Sequence, residues 1–465
     1  MTMELPGHIL LVMATGEAPA HVPSHLDYLL GAARPATSMR DRRLNAALDR
    51  GSDFIVTGTY HARNSLGLVG EQNHGFDDLE EHLGLSRTYS IRLGDAARTH
   101  DVVRHLAELP NVESARVQTL AVAPFAMATA PVQARDGLPV GVDAWAPHER
   151  IRAREAHQLE PGDGDVWVGL VDTGISLSHP EFRRKLLAGY DTVHLGMGGD
   201  LGALRLTGYS RGDDFVPRDE VGHGSHVGGI VGAHGWRLPL GLAGRSMLLP
   251  IRVLAAAIDA KTHKRVGVGG QSDINEGMKV ALDLGADVLN LSFGTPASAV
   301  PEGPPPHREV VDYATHYGCT LVAAMGNSGR REEYFPAAFP EVIAVGSVDS
   351  DGQCSHFSTT GDHIGLCAPG EGIVSAGRRG YESGSGTSYA APFVTGAAAL
   401  LLARARRRNR KLNGMEVRQL LTDSARPLGR AGFNSETGHG LLDVEAALHR
   451  LDQALASPTP PGRAL

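Results

Sequence analysis

From residue 166 onward, short apolar runs alternate with stretches of helical character. The apolar runs are candidate strands at 166–171, 248–254, 288–293, 320–325 and 342–348. Strands buried on both faces read as continuous apolar runs, and parallel strands need a crossing helix between them. The pattern therefore predicts an α/β domain with a mostly parallel central sheet and helices on both faces. One connecting helix is predicted to begin at Asp273, because Asp273 and Glu276 have the spacing of a capping box.

The first 120 residues show a different pattern. A short apolar segment begins at Ile9, and Tyr89–Leu93 alternates apolar with polar residues, as half-buried strands do. The stretch 101–109 has apolar residues at helical spacing, and 111–120 alternates again. These elements predict a small α+β domain over residues 1–120.

The other domain boundaries follow from composition. Residues 121–144 are rich in Ala, Pro, Val and Gly, carry little charge and show no period, which predicts a linker. A second domain is predicted at 145–453. Residues 454–465 contain prolines at 458, 460 and 461 and predict a flexible tail.

The charge distribution argues against two classes of partner. The formal net charge of −8 over 465 residues gives no sign of the basic patch that nucleic-acid binding requires. The basic run 404–411 is interpreted as a solvated helix end. No run reaches the roughly 18 apolar residues that a membrane span requires. We therefore expect neither a nucleic-acid nor a membrane partner.

The cysteines indicate the redox state of the compartment in which the protein works. They lie at 319, 354 and 367, form no disulfide framework and have no metal-ligand spacing. An odd number leaves one thiol unpaired in the monomer, which favours a reducing compartment. The apolar stretch 9–14 is short and has no Lys or Arg before it, so no signal peptide is visible. We expect a cytoplasmic rather than a secreted protein, with no metal or other cofactor.

Ser388 lies where a Gly-rich turn meets the apolar run Phe393–Ala403. The run predicts a buried helix that begins near Ser388. A helix N-terminus carries partial positive charge and free N–H groups, so a hydroxyl there can attack a carbonyl while the adjacent amide stabilises the oxyanion. An ordinary N-cap explains Ser388 equally well, because serine is common at that position.

Two further motifs contain an acid and a base. Asp172 follows a predicted buried strand, where a carboxylate is costly unless it is hydrogen-bonded. A structural turn aspartate is the alternative. His223 has a glycine on each side, which leaves the imidazole room to orient. The alternative there is a turn or a metal site, although no Cys or Glu joins His223 and His226 at metal-ligand spacing.

An Asp, a His and a Ser can act together as an orienting group, a base and a nucleophile. Serine alone is a weak nucleophile, because its hydroxyl is fully protonated near neutral pH. His223 would take the proton of Ser388. Asp172 would hold the imidazole in one tautomer and stabilise the imidazolium.

These motifs resemble those of the subtilisin-like serine proteases, or subtilases, which share this Asp–His–Ser order. The resemblance covers roughly residues 145–453 and implies a subtilisin-like fold. It rests on the segments Trp145–Ile151, Asp172–Ile175, His223–Val227, Gly386–Pro392 and Gly438–Asp443.

The resemblance also implies an oxyanion hole and a peptide-binding cleft. Asn327 would donate its side-chain N–H to the oxyanion alongside the Ser388 amide; a turn asparagine is the alternative. An extended peptide would add as a strand between two segments. These segments are Ser292, Phe293 and Gly294 on one side and Gly269 and Gly270 on the other, where a plain Gly-rich loop fits as well.

The chain departs from the family pattern in several places, including Ser225 for the usual Thr and Gly228 for the usual Ala, from which little consequence is expected. Residues 195–214 predict an extra Gly-rich loop near the cleft. Met325 replaces a small residue near Asn327 and would narrow the primary specificity pocket. The family's calcium loop is not visible in 233–243, so no calcium site is predicted.

The stretch 99–117 resembles, more weakly, the family's inhibitory propeptide. This implies that the first domain is a candidate intramolecular inhibitor and that the enzyme cuts itself once within 121–144. The alternative is an unrelated, permanent accessory domain.

The resulting prediction is a serine endopeptidase that acts on polypeptides through an acyl-enzyme. One alternative is a peptide cyclase or ligase, in which an amine instead of water resolves the acyl-enzyme. Another is a catalytically silent binding protein, against which the intact Asp172, His223, Ser388 and Asn327 argue.

Overall fold

Two sheets organise the chain. A computed structural model describes residues 3–17, 22–29, 31–63, 75–123, 143–196, 200–212, 215–300, 303–429 and 432–456. One sheet has eight strands and runs from the amino-terminal domain into the second domain, while the other has seven strands and forms the centre of the second domain.

The amino-terminal domain is an antiparallel sheet packed against helices, so the predicted α+β domain is confirmed. Its strands are β1 (Glu4–Met13), β2 (Phe54–Gly58), β3 (Thr88–Leu93) and β4 (Val112–Ala123), in the order β2-β3-β1-β4. Its helices are α1 (His25–Leu29), α2 (Arg42–Leu48), α3 (Asp78–His82) and α4 (Thr99–Ala107). Ile9 and Leu11 of β1 and Ile91 of β3 pack with Val102 and Leu106 of α4, which bury the apolar stripe of that helix.

The second domain contains seven parallel strands in the order β17-β16-β14-β12-β5-β9-β6. They are β5 (Trp167–Asp172), β6 (Tyr190–Asp191), β9 (Met247–Arg252), β12 (Val288–Leu291), β14 (Thr320–Ala324), β16 (Val342–Val348) and β17 (Ile364–Pro369). The mostly parallel sheet predicted from the apolar runs is confirmed. Every described residue of β12, β14, β16 and β17 is buried, as expected for strands covered on both faces.

Helices flank this sheet. The helices are α5 (Ala146–Arg150), α6 (Ala153–Leu159), α7 (His223–Gly232), α8 (Gln271–Asp283), α9 (Arg308–His316), α10 (Thr387–Arg406), α11 (Gly414–Ser424) and α12 (Val444–Ala456). Although α10 is long and apolar enough to cross a membrane, 94% of its apolar window is buried inside the domain. It is therefore the core helix that the apolar run predicted.

Helix α8 begins at Gln271, so the capping box predicted at Asp273 is wrong. The N-cap residue is Gly270, and it caps the helix with no side-chain hydrogen bond. The Asp273 carboxylate instead accepts the backbone N–H of His194 at 2.8 Å. The Asp273 carboxylate therefore binds a distant backbone N–H instead of capping the helix.

The remaining strands are short or lie at the cleft. They are β7 (Asp200–Leu201), β8 (Leu204–Leu206), β10 (Ala255–Asp259), β11 (Arg265–Gly270), β13 (Thr295–Pro296), β15 (Tyr334–Phe335), β18 (Ile373–Ala376) and β19 (Tyr381–Gly384). The hairpin of β7 and β8 belongs to the stretch predicted as an extra loop. It pairs with β10 and extends the eight-stranded sheet.

A cluster of buried charges joins the two domains. His61 and Glu80 belong to the first domain, and Glu276, Lys279 and Asp283 belong to α8 of the second. His61 Nδ1 lies 2.8 Å from Glu276 Oε1, and His61 Nε2 lies 2.9 Å from Asp283 Oδ2. Lys279 Nζ lies 2.6 Å from both Glu80 Oε1 and Asp283 Oδ2. All five side chains are at most 1% exposed, so each charge depends on its partners.

Neutral hydrogen bonds surround this cluster. The Tyr60 hydroxyl donates to Glu309 Oε1 at 3.0 Å, and Asn275 Nδ2 donates to the same carboxylate at 2.9 Å. The Tyr313 hydroxyl donates to Asp283 at 2.5 Å. Of these three bonds, the one from Tyr60 to Glu309 joins the two domains.

The buried charges of this cluster are expected to make the stability of the fold depend on pH. Burial acts to lower the pKa of His61, but the charge of Glu276 and the hydrogen bonds with Asp283 and Glu276 outweigh burial and the opposing Lys279, so this pKa is raised above its ordinary value of 6.5. A raised pKa in the folded state stabilises the fold fully below the ordinary pKa, and the stabilisation is lost as the pH rises through the raised value. One proton can account for at most about 1.4 kcal/mol per pH unit.

We expect the melting temperature of a Ser388→Ala chain, in which the predicted nucleophile is absent, to fall between pH 6 and pH 9. Adding His61→Gln should make the melting temperature fall less over this pH range. His100→Gln, at a side chain that is 71% exposed, should leave the fall unchanged. The pKa values of His8 and His25, lowered by burial to about 4, keep these histidines neutral in this range. Equal slopes with and without His61 would contradict the expectation.

Candidate active site

The three residues of the predicted triad lie at the ends of neighbouring elements. Asp172 is the last residue of β5, His223 is the first residue of α7, and Ser388 is the second residue of α10. The chain can turn sharply after Asp172 because Gly174 adopts a φ of +93°, and a Cβ there would lie 2.4 Å from the Pro217 carbonyl oxygen. The carboxyl end of β5 thus meets the amino ends of two helices.

Asp172 and His223 are joined directly. His223 Nδ1 lies 2.7 Å from Asp172 Oδ1, and both side chains are fully buried. Burial acts to lower the pKa of His223, but Asp172, by its charge and its hydrogen bond, outweighs burial and raises this pKa above its ordinary value. Among the described residues, His223 Nε2 has no hydrogen-bond partner. The imidazole is therefore held at one nitrogen and free at the other.

Ser388 is fixed to the strand that precedes Gly294. Its hydroxyl donates to the Ser292 carbonyl oxygen at 3.3 Å, and the Ser292 hydroxyl donates to the Ser388 carbonyl oxygen at 3.0 Å. That carbonyl lies four residues before Pro392, which has no N–H to donate to it, so Ser292 replaces the missing helical bond. Within the described part of the chain, no hydrogen bond joins Ser388 to His223, although the ring of Tyr389 lies 5.6 Å from that of His223.

Asn327 is oriented by the residue before Ser388. The backbone N–H of Thr387 donates to Asn327 Oδ1 at 2.9 Å, and the Thr387 hydroxyl donates to the same oxygen at 2.8 Å. Because a backbone N–H can only donate, this contact identifies the oxygen of the amide. The amide nitrogen of Asn327 is therefore the donor atom that these two contacts leave unused.

Asp219 is a positioning residue that the sequence reasoning missed. Its carboxylate accepts the Thr173 hydroxyl at 2.9 Å, the backbone N–H of Gly222 at 2.7 Å and both the backbone N–H and the hydroxyl of Ser225 at 2.8 and 2.7 Å. It thereby ties the turn after Asp172 to the start of α7. The sequence shows only two adjacent acidic residues, Asp219 and Glu220, ahead of the histidine motif, and nothing in it distinguishes them.

His226, the second histidine of the motif, lies behind the first. Its ring stacks on Tyr389 with a centroid distance of 4.1 Å. Burial, together with the nearby His223, lowers the pKa of His226 to about 3, which keeps the ring neutral. His226 therefore packs behind His223 as a neutral ring.

The end of β4 lies between the two segments that were expected to bind a peptide. Residues 120–123 pair antiparallel with residues 267–270 of β11. On the other side, Val122 N donates to the Gly294 carbonyl oxygen at 3.4 Å, and Gly294 N donates to the Val122 carbonyl oxygen at 3.3 Å. The Thr295 hydroxyl also donates to the Leu120 carbonyl oxygen at 3.0 Å. A stretch of this chain thus occupies the cleft as an added strand.

This strand extends three residues into the segment predicted as a linker. Residues 121–123 are Ala-Val-Ala, whose lack of pattern indicated a loop, but β11 and Gly294 supply their backbone hydrogen bonds. The rest of that segment, residues 124–142, lies outside the described residues.

The loop at residues 233–243, in which the sequence shows no calcium motif, surrounds the carboxylate of Glu181. Glu181 accepts the backbone N–H groups of residues 235–238 at 2.7–3.1 Å. Because these N–H groups point inward, the loop offers donors where a cation needs oxygen ligands. In the part of the chain that the structure describes, no group of three or more His, Cys, Asp or Glu side chains is arranged to hold a metal ion.

The arrangement can support acyl transfer. The Ser388 hydroxyl lies one residue before Tyr389, whose ring is 5.6 Å from that of His223, and Asp172 orients this imidazole. The Asn327 amide is held by Thr387, the residue before Ser388. An added strand brings a polypeptide backbone alongside these groups. Together they resemble the parts of a peptide-bond hydrolase.

Comparisons with known proteins identify the family. The subtilase family model matches residues 163–440. A thermophilic serine proteinase of Bacillus sp. (strain AK1) is 34% identical over 280 residues, which are 60% of this chain and 60% of that protein. Subtilisin DY of Bacillus licheniformis is 35% identical over 289 residues, which are 61% of this chain and 90% of that protein.

A solved structure supports the fold. The crystal structure of a lanthipeptide protease matches with a TM-score of 0.54 and 23% identity, covering 66% of this chain and 94% of that chain. At that identity the likeness concerns the fold alone. Since the family model spans more than half of the chain and the alignment spans most of subtilisin DY, the chain belongs to the subtilase family of serine endopeptidases.

Proposed function

We propose that Asp172, His223 and Ser388 carry out peptide-bond hydrolysis in this chain. The observation that supports the proposal most is the 2.7 Å contact between His223 Nδ1 and Asp172, which leaves His223 Nε2 without a partner among the described residues and available as a base. Asp172 fixes the tautomer in which Nδ1 carries the proton, and it stabilises the imidazolium that forms during the reaction.

The reaction proceeds in two halves. Ser388 Oγ bonds to the substrate carbonyl carbon while its proton moves to His223 Nε2. When the C–N bond breaks, the same proton goes to the leaving amine, and an acyl-enzyme remains on Ser388. Water then repeats the sequence, with His223 as base, and releases the acid product. Each half returns His223 to its neutral state.

The oxyanion that forms in each half is stabilised by two donors. These are the backbone N–H of Ser388, at the N-terminus of α10, and the amide nitrogen of Asn327. The two contacts from Thr387 hold Asn327 before substrate arrives, so little reorganisation is needed in the transition state.

Asn327→Ala should lower kcat by roughly 10²–10³-fold, with KM little changed, because the lost donor acts mainly on the oxyanion. Steady-state kinetics on a peptide substrate would measure this. Ser328→Ala, at the next residue, is the matched control and should retain kcat. A wild-type kcat in Asn327→Ala would show that the oxyanion is stabilised by other groups.

The first domain is proposed to be an intramolecular inhibitor of the same cleft. Three features support this role. Its last strand is paired on both sides within the cleft, so a substrate strand cannot add there at the same time. The buried charges of His61 and Glu80 hold the domain against α8. A tethered segment also competes at a high effective concentration.

The same pairing supports one self-cleavage. Because Val122 and Gly294 form an antiparallel bridge, moving forward from Val122 corresponds to moving back from Gly294 toward Ser292. Ser292 is the residue whose carbonyl oxygen contacts the Ser388 hydroxyl. We therefore expect the cut within the first few residues after Ala123, inside the segment 121–144.

Wild type and Ser388→Ala should be purified in parallel and their intact masses recorded. Wild type should yield two fragments whose boundary lies just after Ala123, while Ser388→Ala should remain one chain and cleave no added peptide. Ser388→Ala keeps a small side chain at the helix start, so the fold should persist. A wild-type enzyme that cleaves added peptide yet remains one chain would refute self-cleavage. The same fragments in Ser388→Ala would identify a contaminating protease.

A further inference from the structure

The extra loop at residues 195–214 lies against the first domain. Its described part includes the hairpin of β7 and β8, which pairs with β10. Apolar side chains of the loop form one hydrophobic cluster with side chains of the first domain. The buried members from the first domain are Leu5 and Leu120, and those from the loop are Leu195 and Leu206. A part of the chain that departs from the family pattern is thus packed against the domain proposed as the inhibitor.

His194, the residue just before this loop, stacks on the first domain. Its ring lies 4.5 Å from that of His25, with an angle of 23° between the two planes, and 5.5 Å from that of Tyr28. Burial lowers the pKa of His25 to about 4. Burial, with the nearby charges of His25, Arg92 and His8, lowers the pKa of His194 well below its ordinary value. Both rings are therefore neutral near pH 7 and stack without charge repulsion.

The next two residues also face the first domain. A Cβ built on Gly270 would lie 3.3 Å from Leu195 Cδ2 and 3.1 Å from Leu5 Cδ2, so the two leucine side chains meet over this glycine. Gly196 adopts a φ of +84°, and a Cβ there would lie 3.0 Å from Arg92 Nη1. A side chain at this position would meet the guanidinium of the first domain, which glycine lets approach.

We call residues 194–196 the docking segment, and the second domain holds it in place. The backbone N–H of His194 donates to the Asp273 carboxylate of α8 at 2.8 Å. The Ser210 hydroxyl donates to the Gly196 carbonyl oxygen at 2.8 Å and ties the two ends of the loop together. A surface that is held in its bound shape loses little conformational freedom when its partner binds.

The docking segment differs from the strand in the cleft in what it recognises. The strand is bound through its backbone, which any extended peptide can offer. The docking segment instead contacts particular side chains of the first domain, which are an imidazole, a leucine and a guanidinium. A substrate that replaces the strand does not bring these three groups to these positions. The segment therefore favours the chain's own first domain over other polypeptides.

We propose that residues 194–196 are a docking site for the chain's own first domain, and that they keep this domain bound after the connecting chain has been cut. The proposal rests on the inhibitory role proposed above. By slowing release, the docking segment prolongs inhibition while lying outside the backbone pairing of the cleft.

The test measures release of the first domain from a cut chain. A recognition site for a sequence-specific protease is inserted after Arg135 in the Ser388→Ala chain, which is immobilised through a tag added after Leu465. Once the site has been cut, the appearance of the first domain in the wash gives its release rate. Leu195→Ala should release it at least about tenfold faster, because a buried side chain at the contact is lost. Arg205→Ala, at an exposed side chain of β8, is the matched control and should keep the starting rate.

A double-mutant cycle examines the contact from the other side. Leu5→Ala, in the first domain, should also accelerate release. Combining Leu5→Ala with Leu195→Ala should accelerate it by at least about threefold less than the product of the two single effects, because both variants remove the same contact. The melting temperature of each uncut chain shows whether both domains are folded. If Leu195→Ala alone weakens the second domain, Leu5→Ala carries the comparison with Arg205→Ala.

Three results would overturn the proposal. One is a first domain that leaves the unaltered docking segment within the first wash. Another is release at the starting rate from folded Leu195→Ala and Leu5→Ala chains, or single effects that simply multiply. The third is Arg205→Ala accelerating release as far as Leu195→Ala. Failure of the inhibitory role would look different. Removing the first domain from a chain that keeps Ser388 would then leave peptide cleavage unchanged, whereas the release rates are measured without any cleavage by this protein.

Discussion

The structure depends on one strand addition. Residues 120–123 fill the gap between β11 and Gly294, and their backbone hydrogen bonds merge the two domains into a single eight-stranded sheet. Without a strand there, the N–H and C=O groups of both edges would need other partners. A peptide substrate meets the same requirement, because main-chain pairing is largely indifferent to sequence. Under the proposed function, inhibition and substrate binding would be two uses of one unpaired edge.

The contact between the domains depends on the buried charges of α8 as well as on strand pairing. Lys279 and Asp283 belong to the second domain and remain paired with each other if the first domain leaves, but Glu276 would lose His61. Removing one partner of a buried ion pair is more costly than never having formed the pair. Departure of the first domain must therefore expose this site to water or rearrange it. The interface is therefore suited to holding the first domain firmly, which the proposed inhibitory role requires.

Much of the fold and of the candidate site could be predicted, because the relevant signals are local. Continuous apolar runs identified the strands that precede Asp172 and Asn327, and the apolar run after Ser388 identified the helix that carries it. What could not be predicted depends on distant partners. Asp219 acts through Thr173 far away in the chain, and Asp273 lost its capping role to His194. The end of β4 could not be recognised as a strand from its sequence, because its hydrogen-bond partners, β11 and Gly294, are distant in the chain.

Labelling with a fluorophosphonate tests most directly whether the buried contact between Asp172 and His223 activates Ser388. The protein would be treated with the probe, digested with a second protease and analysed by tandem mass spectrometry. A single adduct on Ser388, absent when His223 is replaced by alanine, is the predicted result. An adduct on a different serine, or no adduct on a preparation that cleaves peptides, would contradict the assignment of these residues.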